Sequence, residues 1–469
     1  MRLQKFMSLL LSCIMLCLSF QANCLSIYAE ALSAAEPTTD SDGTQAWNKS
    51  LGTDAYPQFS GKAVSYISEH GEEVYSNTNI SCNNHSYVNG ICKTCGEYEV
   101  PTLENGAYQL SNYGELVWFQ QYVDADNTGA NAVLTADITA NKNLLNKDGS
   151  VSDVPVYKWV PIGRSLQYTG TFDGNGHIIS GLYSYSDDYY DYCGLFAKMK
   201  GTIKNLGIVD SYFGGKNCYH AASFAGIGYL NSVIENCFSD SSVVGYAYCG
   251  GIAGETYGKI SNCYYIGKIT ADSTDSNAIS SDKYNYGALE NCYYLESCGL
   301  STTRAVGKTA EQFASGDVCY ILKSSENNLV WGQNLSSEGS MPVLTSDEEL
   351  RVYRVTTVKD DASSSYYSNS SCTLPADDTG YWIDENGKVL YSPAKITKDT
   401  TITFKQFVSV LGDVNQNGKV EKADAAAVLR HVSGISLISD EAELLLADVN
   451  RDGNVDVRDA VEIIKKAAA

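Results

Sequence analysis

The chain has 469 residues, 15 of them cysteine, and a formal net charge of −22. That acidity argues against nucleic acid and anionic membrane as partners, and the length is sufficient for several cores. Tyrosine is abundant (34, against 12 phenylalanines), with 40 glycines and 8 prolines, a mix that favours short strands and turns over long helices.

Residues 1–31 read as a secretion signal. Arg2 and Lys5 precede an apolar run from Phe6 to Phe20, and Ala29-Glu30-Ala31 is a plausible cleavage point. The run is short for a spanning helix, so the mature chain is expected outside the cell, without membrane insertion. Cys13, Cys17 and Cys24 would leave with the signal. Residues 32–80 read as a small, polar linker and then the tail of a partial module, because Trp47 to Phe59 echoes the later stretch from Trp331 to Leu344.

Residues 81–98 contain Cys82-x₂-His85-x₆-Cys92-x₂-Cys95-Gly96. Two close pairs of thiol and imidazole donors match tetrahedral zinc, and glycine after the second pair suits a knuckle. Local disulfides are the competing reading. Four protein ligands would close the site, so its expected role is structural. The segment resembles Cys-x-x-His-x-Tyr…Cys-x-x-Cys-Gly stretches in secreted proteins of Gram-positive bacteria.

Residues 106–345 repeat. Gly114 to Val123 has helical apolar spacing and is predicted to cap one end. Ile203-Lys204-Asn205-Leu206 then returns as Ile234-Glu235-Asn236-Cys237, Ile260-Ser261-Asn262-Cys263 and Leu289-Glu290-Asn291-Cys292. Ahead of them, Cys193-Gly194-Leu195-Phe196-Ala197 returns as Ala221 to Ala225 and Cys249 to Ala253. A period of this size, built from short β-rich runs and glycine turns, predicts one coil of a β-solenoid per repeat. Asparagine would pass amide hydrogen bonds between coils, and the cysteines after it would serve as small core residues. The pattern resembles the GLUG repeat of bacterial surface proteins, which implies a right-handed parallel β-helix of the pectate-lyase-like kind.

Acid chemistry on sugars needs carboxylates converging from adjacent coils. Asp210 and Asp240 are the nearest approach to a pair and the weak catalytic candidates, with solvated loop acids as the expected reading. Phe238, Tyr264 and Tyr293 share a repeat position, as do Tyr265 and Tyr294. Together with Tyr183, Tyr185, Tyr189 and Tyr190 of the run Tyr183 to Tyr192, the residues Tyr264 and Tyr293 are candidates for stacking on sugar rings, with a solvated loop as an equal reading of that run. Alternate strand residues point inward, so at least one of these columns is expected in the core. Residues 350–408 alternate in strand fashion, with a hairpin at Gly380 to Leu390 turning on Asn386-Gly387. They resemble the small all-β repeats of Gram-positive surface proteins and read as a spacer.

The last segment, 411–469, carries two copies of one loop, offset by 35 residues (448 − 413). Asp413, Asn415, Asn417, Glu421 and Asp424 place oxygen side chains at loop positions one, three, five, nine and twelve. Asp448, Asn450, Asp452, Asp456 and Asp459 repeat them. Glycine stands at position six, and Lys419 and Asn454 at seven can each offer a carbonyl. That is the arrangement a calcium ion requires, and two loops predict two ions. Helices are predicted at about 424–432, 440–446 and 459–466, with Val428, Leu429, Val432, Val461 and Ile464 as a buried seam.

Paired loop-then-helix units ending in Asp rather than Glu resemble the dockerin module of cellulosomal proteins. The resemblance implies a cohesin domain of a scaffoldin as partner, read by loop positions ten and eleven, here Lys422, Ala423, Val457 and Arg458. The expected architecture is therefore mainly β, a solenoid plus a small β module and an all-α dockerin. The expected function is a secreted, scaffold-bound component whose β-helix binds plant polysaccharide or a surface. A polysaccharide lyase or glycoside hydrolase on the β-helix is the alternative.

Overall fold

A computed structural model describes residues 65–69, 72–76, 85–93, 95–152, 157–281, 286–323 and 330–469. The signal segment, the Trp47–Phe59 echo and Cys82 lie outside the described residues. The chain divides into two units, 1–99 and 100–469. The first contains an antiparallel pair, Ser65–Glu69 with Glu72–Ser76, and a smaller one, Tyr87–Val88 with Ile91–Cys92.

The second unit is built on a β-solenoid of about 4 turns. One wall stacks Asn131–Leu134, Thr171–Asp173, Thr202–Gly214 and Val233–Gly245 in parallel, then the broken strands Lys259–Ser261, Tyr264–Tyr265 and Lys268–Ala271. A second wall stacks Phe196–Met199, Ala225–Gly228, Ala253–Thr256 and Ser280–Ser281. The predicted capping helix forms as α1, Tyr113–Asp124. Asn112 caps its start by accepting from the Glu115 N–H, and Leu116, Phe119 and Val123 are fully buried.

The repeat positions stack as expected. Ile203, Ile234 and Ile260 form one interior column, and Leu206, Cys237, Cys263 and Cys292 another, all buried. Asn205, Asn236, Asn262 and Asn291 sit at the bend with φ between 51° and 53°. This left-handed conformation is one that asparagine tolerates better than branched residues. The amide ladder is broken once. Asn205 donates to Asp173 and Asn236 to Asn205 at 3.0 and 3.2 Å, and Asn291 donates to Asn262 at 2.7 Å, but Asn236 Oδ1 is buried without a partner.

The tyrosine columns are where the structure departs from expectation. Tyr265 points into the coil, where its ring lies where any side chain on Gly251 would stand, and its hydroxyl donates to the Ser241 carbonyl. Tyr264 and Tyr293 face the other way but are covered by a cap. Short helices α2 (Ala310–Ala314) and α3 (Asp317–Leu322) and the strand pair Val330–Gly332 with Val343–Thr345 pack there. Phe238, Tyr264 and Tyr293 share one core with Phe313, Val318, Trp331 and Leu344. Both columns are therefore core, and Tyr264 and Tyr293 are not sugar platforms.

The spacer is a five-stranded sheet ordered Ala362–Ser368, Tyr353–Lys359, Thr400–Gln406, Gly380–Ile383, Val389–Leu390 around Val355, Trp382, Ile402 and Phe404. Tyr320 of α3 donates to Asp399 at 2.7 Å and Tyr367 donates to Asp317 at 3.0 Å, joining cap to spacer. The helical tail follows directly. Tyr264→Ala should destabilise the solenoid by about 3–5 kcal/mol, as large aromatic deletions in cores do. Tyr190→Ala at an exposed position should cost less than about 0.5 kcal/mol. Urea denaturation of the two variants checks the difference.

Candidate functional site

Each loop of the tail is drawn tight by its own carboxylates. Asp413 accepts from the N–H groups of Asn417 and Gly418 at 3.0 and 2.7 Å, and Asp448 accepts from Gly453 at 3.0 Å. The position-twelve residues strap the loops shut in the same way. Asp424 accepts from Asn415 and Glu421, and Asp459 from Asn450 and Asp456, at 3.1 and 2.8 Å in both cases. Gly418 and Gly453 turn with φ of 85° and 84°, which is why position six is glycine. Asn415, Asn417, Lys419, Glu421, Asn450, Asp452, Asn454 and Asp456 complete the loops nearer to solvent.

These side chains fit a cation. Asp413, Asp424 and Asp459 have no solvent exposure and Asp448 has 4%. Carboxylates removed from water require a compensating positive charge or protonation. Asp448 Oδ1 is buried with no hydrogen-bond partner. Burial, assisted by the charges of Asp459 and Asp452, pushes the Asp448 carboxyl up to about 6. An all-oxygen set of this kind suits calcium.

Three helices accompany the loops: α4 (Lys422–Val432) and α6 (Val457–Ala468) follow the first and second loops, and α5 (Glu441–Ala447) leads into the second. Their core is Val414, Ala425, Val428, Ile438, Ala447, Ala460 and Ile463. Of the expected seam only Val428 is buried. Leu429, Val432, Val461 and Ile464 are 40–45% exposed. On α6 the buried phase lies one position from the expected seam: Ile463 turns inward and leaves Val457, Val461 and Ile464 as an apolar stripe on the surface. Lys422, Ala423, Val457 and Arg458 all stand exposed in the first turns of α4 and α6. Arg458 pairs with Asp452 and Asp456 at 2.6 and 2.7 Å.

The second loop also meets the spacer. Arg451 donates to the Asp377 carbonyl at 2.6 Å, and the Tyr391 ring lies 3.3 Å from where a side chain on Gly453 would begin.

On the solenoid the two candidate acids have different surroundings. The Asp210 carboxylate is occupied by the N–H groups of Leu144 and Leu145 at 3.0 and 2.8 Å, so it anchors a loop and is not simply solvated. Asp240 is exposed on the next coil, its carboxyl raised by its packed surroundings and by the charge of Asp210.

Tyr185, Tyr189 and Tyr190 are exposed and Tyr183 is half-buried. Tyr189 meets Tyr219 and Tyr246, at centroid distances of 5.4 and 6.1 Å. Beside them Tyr192, His220 and Tyr248 stack at 4.8 and 5.1 Å. Tyr219, His220, Tyr246 and Tyr248 are absent from the sequence-based candidates, and Tyr192 enters them only as the end of the run from Tyr183. The signal was present, since Tyr192, His220 and Tyr248 each stand immediately before a repeat motif at Cys193, Ala221 and Cys249.

In the first unit, donor atoms of His85, Cys92 and Cys95 lie within 4.8 Å of one another.

The family model for the dockerin type I domain matches residues 411–466. No curated protein matches the chain. A solved structure from Bacteroides ovatus, titled provisionally as an immunoglobulin A1 protease, aligns with 20% identity over 52% of this chain and 93% of its own. Its TM-score is 0.35, too low to bear on function. Dockerin domains bind cohesin domains in cellulosome-type complexes, and type I dockerins bind calcium. With both loops, their strapping aspartates and the three helices in place, residues 411–466 of this chain are a dockerin type I domain.

Proposed function

We propose that the protein is a secreted component of a cellulosome-like assembly, held to a scaffoldin cohesin by a tail ordered by two calcium ions. The observation that carries this reading is the repetition of buried, strapped carboxylates in both loops of the dockerin. Asp413, Asn415, Asn417, the Lys419 carbonyl, Glu421 and Asp424 would hold one ion. Asp448, Asn450, Asp452, the Asn454 carbonyl, Asp456 and Asp459 would hold the other. Calcium supplies the charge that lets these carboxylates stay inside, and so fixes the helices that follow.

The cohesin-reading surface is assigned to the exposed residues of α4 and α6. The 35-residue offset pairs Lys422 with Val457, Ala426 with Val461 and Leu429 with Ile464. The α6 face is the more apolar, and exposed apolar patches rimmed by charge favour protein partners. Arg458 stands at its edge.

The β-solenoid is the cargo. Its exposed tyrosines Tyr189, Tyr190 and Tyr246, with the half-buried Tyr219 packed against Tyr189 and Tyr246, support binding of a plant polysaccharide or a surface glycan through apolar ring faces. The GLUG-like repeat fits that role. The second reading, a lyase or hydrolase, is favoured by the placement of Asp210 and Asp240 side by side on adjacent coils, where the charge of Asp210 helps to raise the Asp240 carboxyl. Reducing-sugar and unsaturated-product assays on a polysaccharide panel separate the two, and an activity lost in Asp240→Asn establishes the second.

Three outcomes are expected for the docking tail. Asp413→Ala with Asp448→Ala should abolish cohesin binding and lower tail helicity in circular dichroism, and binding that survives the double change in chelator sinks the calcium assignment. Ile464→Asp should weaken cohesin binding at least about 30-fold and Leu429→Asp less than about tenfold, with calcium content unchanged. The third is a pH effect. A carboxyl raised in the folded state adds stability that is full below its unfolded pKa of about 3.9 and is lost as pH rises through about 6. Without calcium at pH 7, Asp448→Asn should therefore raise the melting temperature of the tail, and this gain should shrink to nothing by about pH 4. With calcium at pH 7 the same substitution should lower it.

A further inference from the structure

Three clusters of reactive or charged side chains lie outside the docking site and the tyrosine track. One is the buried Cys193–Cys218 thiol pair, and another is the open basic pocket around Lys323 and Arg351. The third, the His85–Cys92–Cys95 cluster, carries an argument furthest. It lies wholly within the first unit and is independent of the dockerin.

The backbone there is built to bring donors together. Tyr87–Val88 and Ile91–Cys92 pair antiparallel across Asn89 and Gly90, whose φ values of 49° and 74° make a tight turn. Cys92 then enters a second turn, where Gly96 N–H donates to the Cys92 carbonyl at 2.9 Å with Gly96 at φ 73°. Lys93 N–H donates to the Ser86 carbonyl at 3.0 Å, which holds the segment carrying His85 beside the turn. The result sets His85 Nδ1 3.3 Å from Cys95 Sγ, with Cys92 fully buried beside them.

Those distances are close to what one ion imposes. With Zn–S of about 2.3 Å and Zn–N of about 2.0–2.1 Å, neighbouring ligands on a tetrahedron stand roughly 3.5–3.8 Å apart. The imidazole is also oriented for the task. Nδ1 faces the thiol, while Nε2 lies 3.4 Å from the Glu97 carboxylate, the second partner that metal-bound histidines generally keep. A Cys92–Cys95 disulfide would use neither the histidine nor its acid. Strands of two residues bury too little to hold such a turn without a staple.

We propose that His85, Cys92 and Cys95 bind one structural zinc ion. The metal displaces the two thiol protons to water and takes the imidazole in its neutral form.

The experiment uses the full-length chain, purified without added zinc and dialysed into calcium buffer. Elemental analysis should give one zinc per chain. Mercurial titration of the thiols should release it to a chromophoric chelator, with calcium content unaffected. Cys95→Ser and His85→Ala should each lower zinc retention at least tenfold, while Cys193→Ser, a buried solenoid thiol, should keep it. Should the first two variants misfold, cobalt substituted into the wild-type chain still decides the matter, since thiolate-to-cobalt absorption is expected. A zinc-free chain overturns the proposal, whether its cysteines resist alkylation until reduced, as disulfides do, or alkylate at once.

Discussion

Four aspartates almost without access to water set the terms for the docking end of this protein. Asp413 and Asp448 open the two loops, Asp424 and Asp459 close them, and each is held by backbone N–H groups of its own loop. Hydrogen bonds of this kind orient a carboxylate but do not neutralise it. The remaining charge calls for a cation, and the burial of Asp448 Oδ1 without a partner marks where that demand is greatest. Helices α4 and α6 begin from these loops, so the exposed faces of both helices inherit their geometry from the loops.

Within the second unit, the other modules are continuous with that end. Spacer contacts through Arg451 and Tyr391 touch the second loop, and the cap ties the spacer to the solenoid through Tyr320 and Tyr367. The solenoid itself depends on a simpler rule. Parallel coils place the same residue above itself, so one choice is repeated down a column. A cysteine, an isoleucine or a left-handed asparagine works because each neighbour makes the same choice.

Much of this was legible in the residues. The asparagine–cysteine period gave the coils, and Gly114 to Val123 gave the capping helix at Tyr113–Asp124. The paired loops gave the family, because ligand spacing within a loop is a local property that twelve residues carry among themselves. The column of Tyr192, His220 and Tyr248 is equally periodic, but a mixed column of tyrosine and histidine does not look like a repeat until the rings are seen together.

Other features lay beyond the sequence. Strand alternation says that Tyr264 and Tyr265 point in opposite directions, but not that residues 310–345 return to cover the outward one. Asp210 reads as a loop acid until Leu144 and Leu145, more than 60 residues earlier, are found donating to it. On α6 the apolar residues at 461, 463 and 464 could satisfy either of two phases, and packing against α4 selected Ile463. By itself the sequence determined what recurs and what binds locally. Which face of each element meets water was decided only by tertiary structure, because burial depends on what distant chain comes to lie on top.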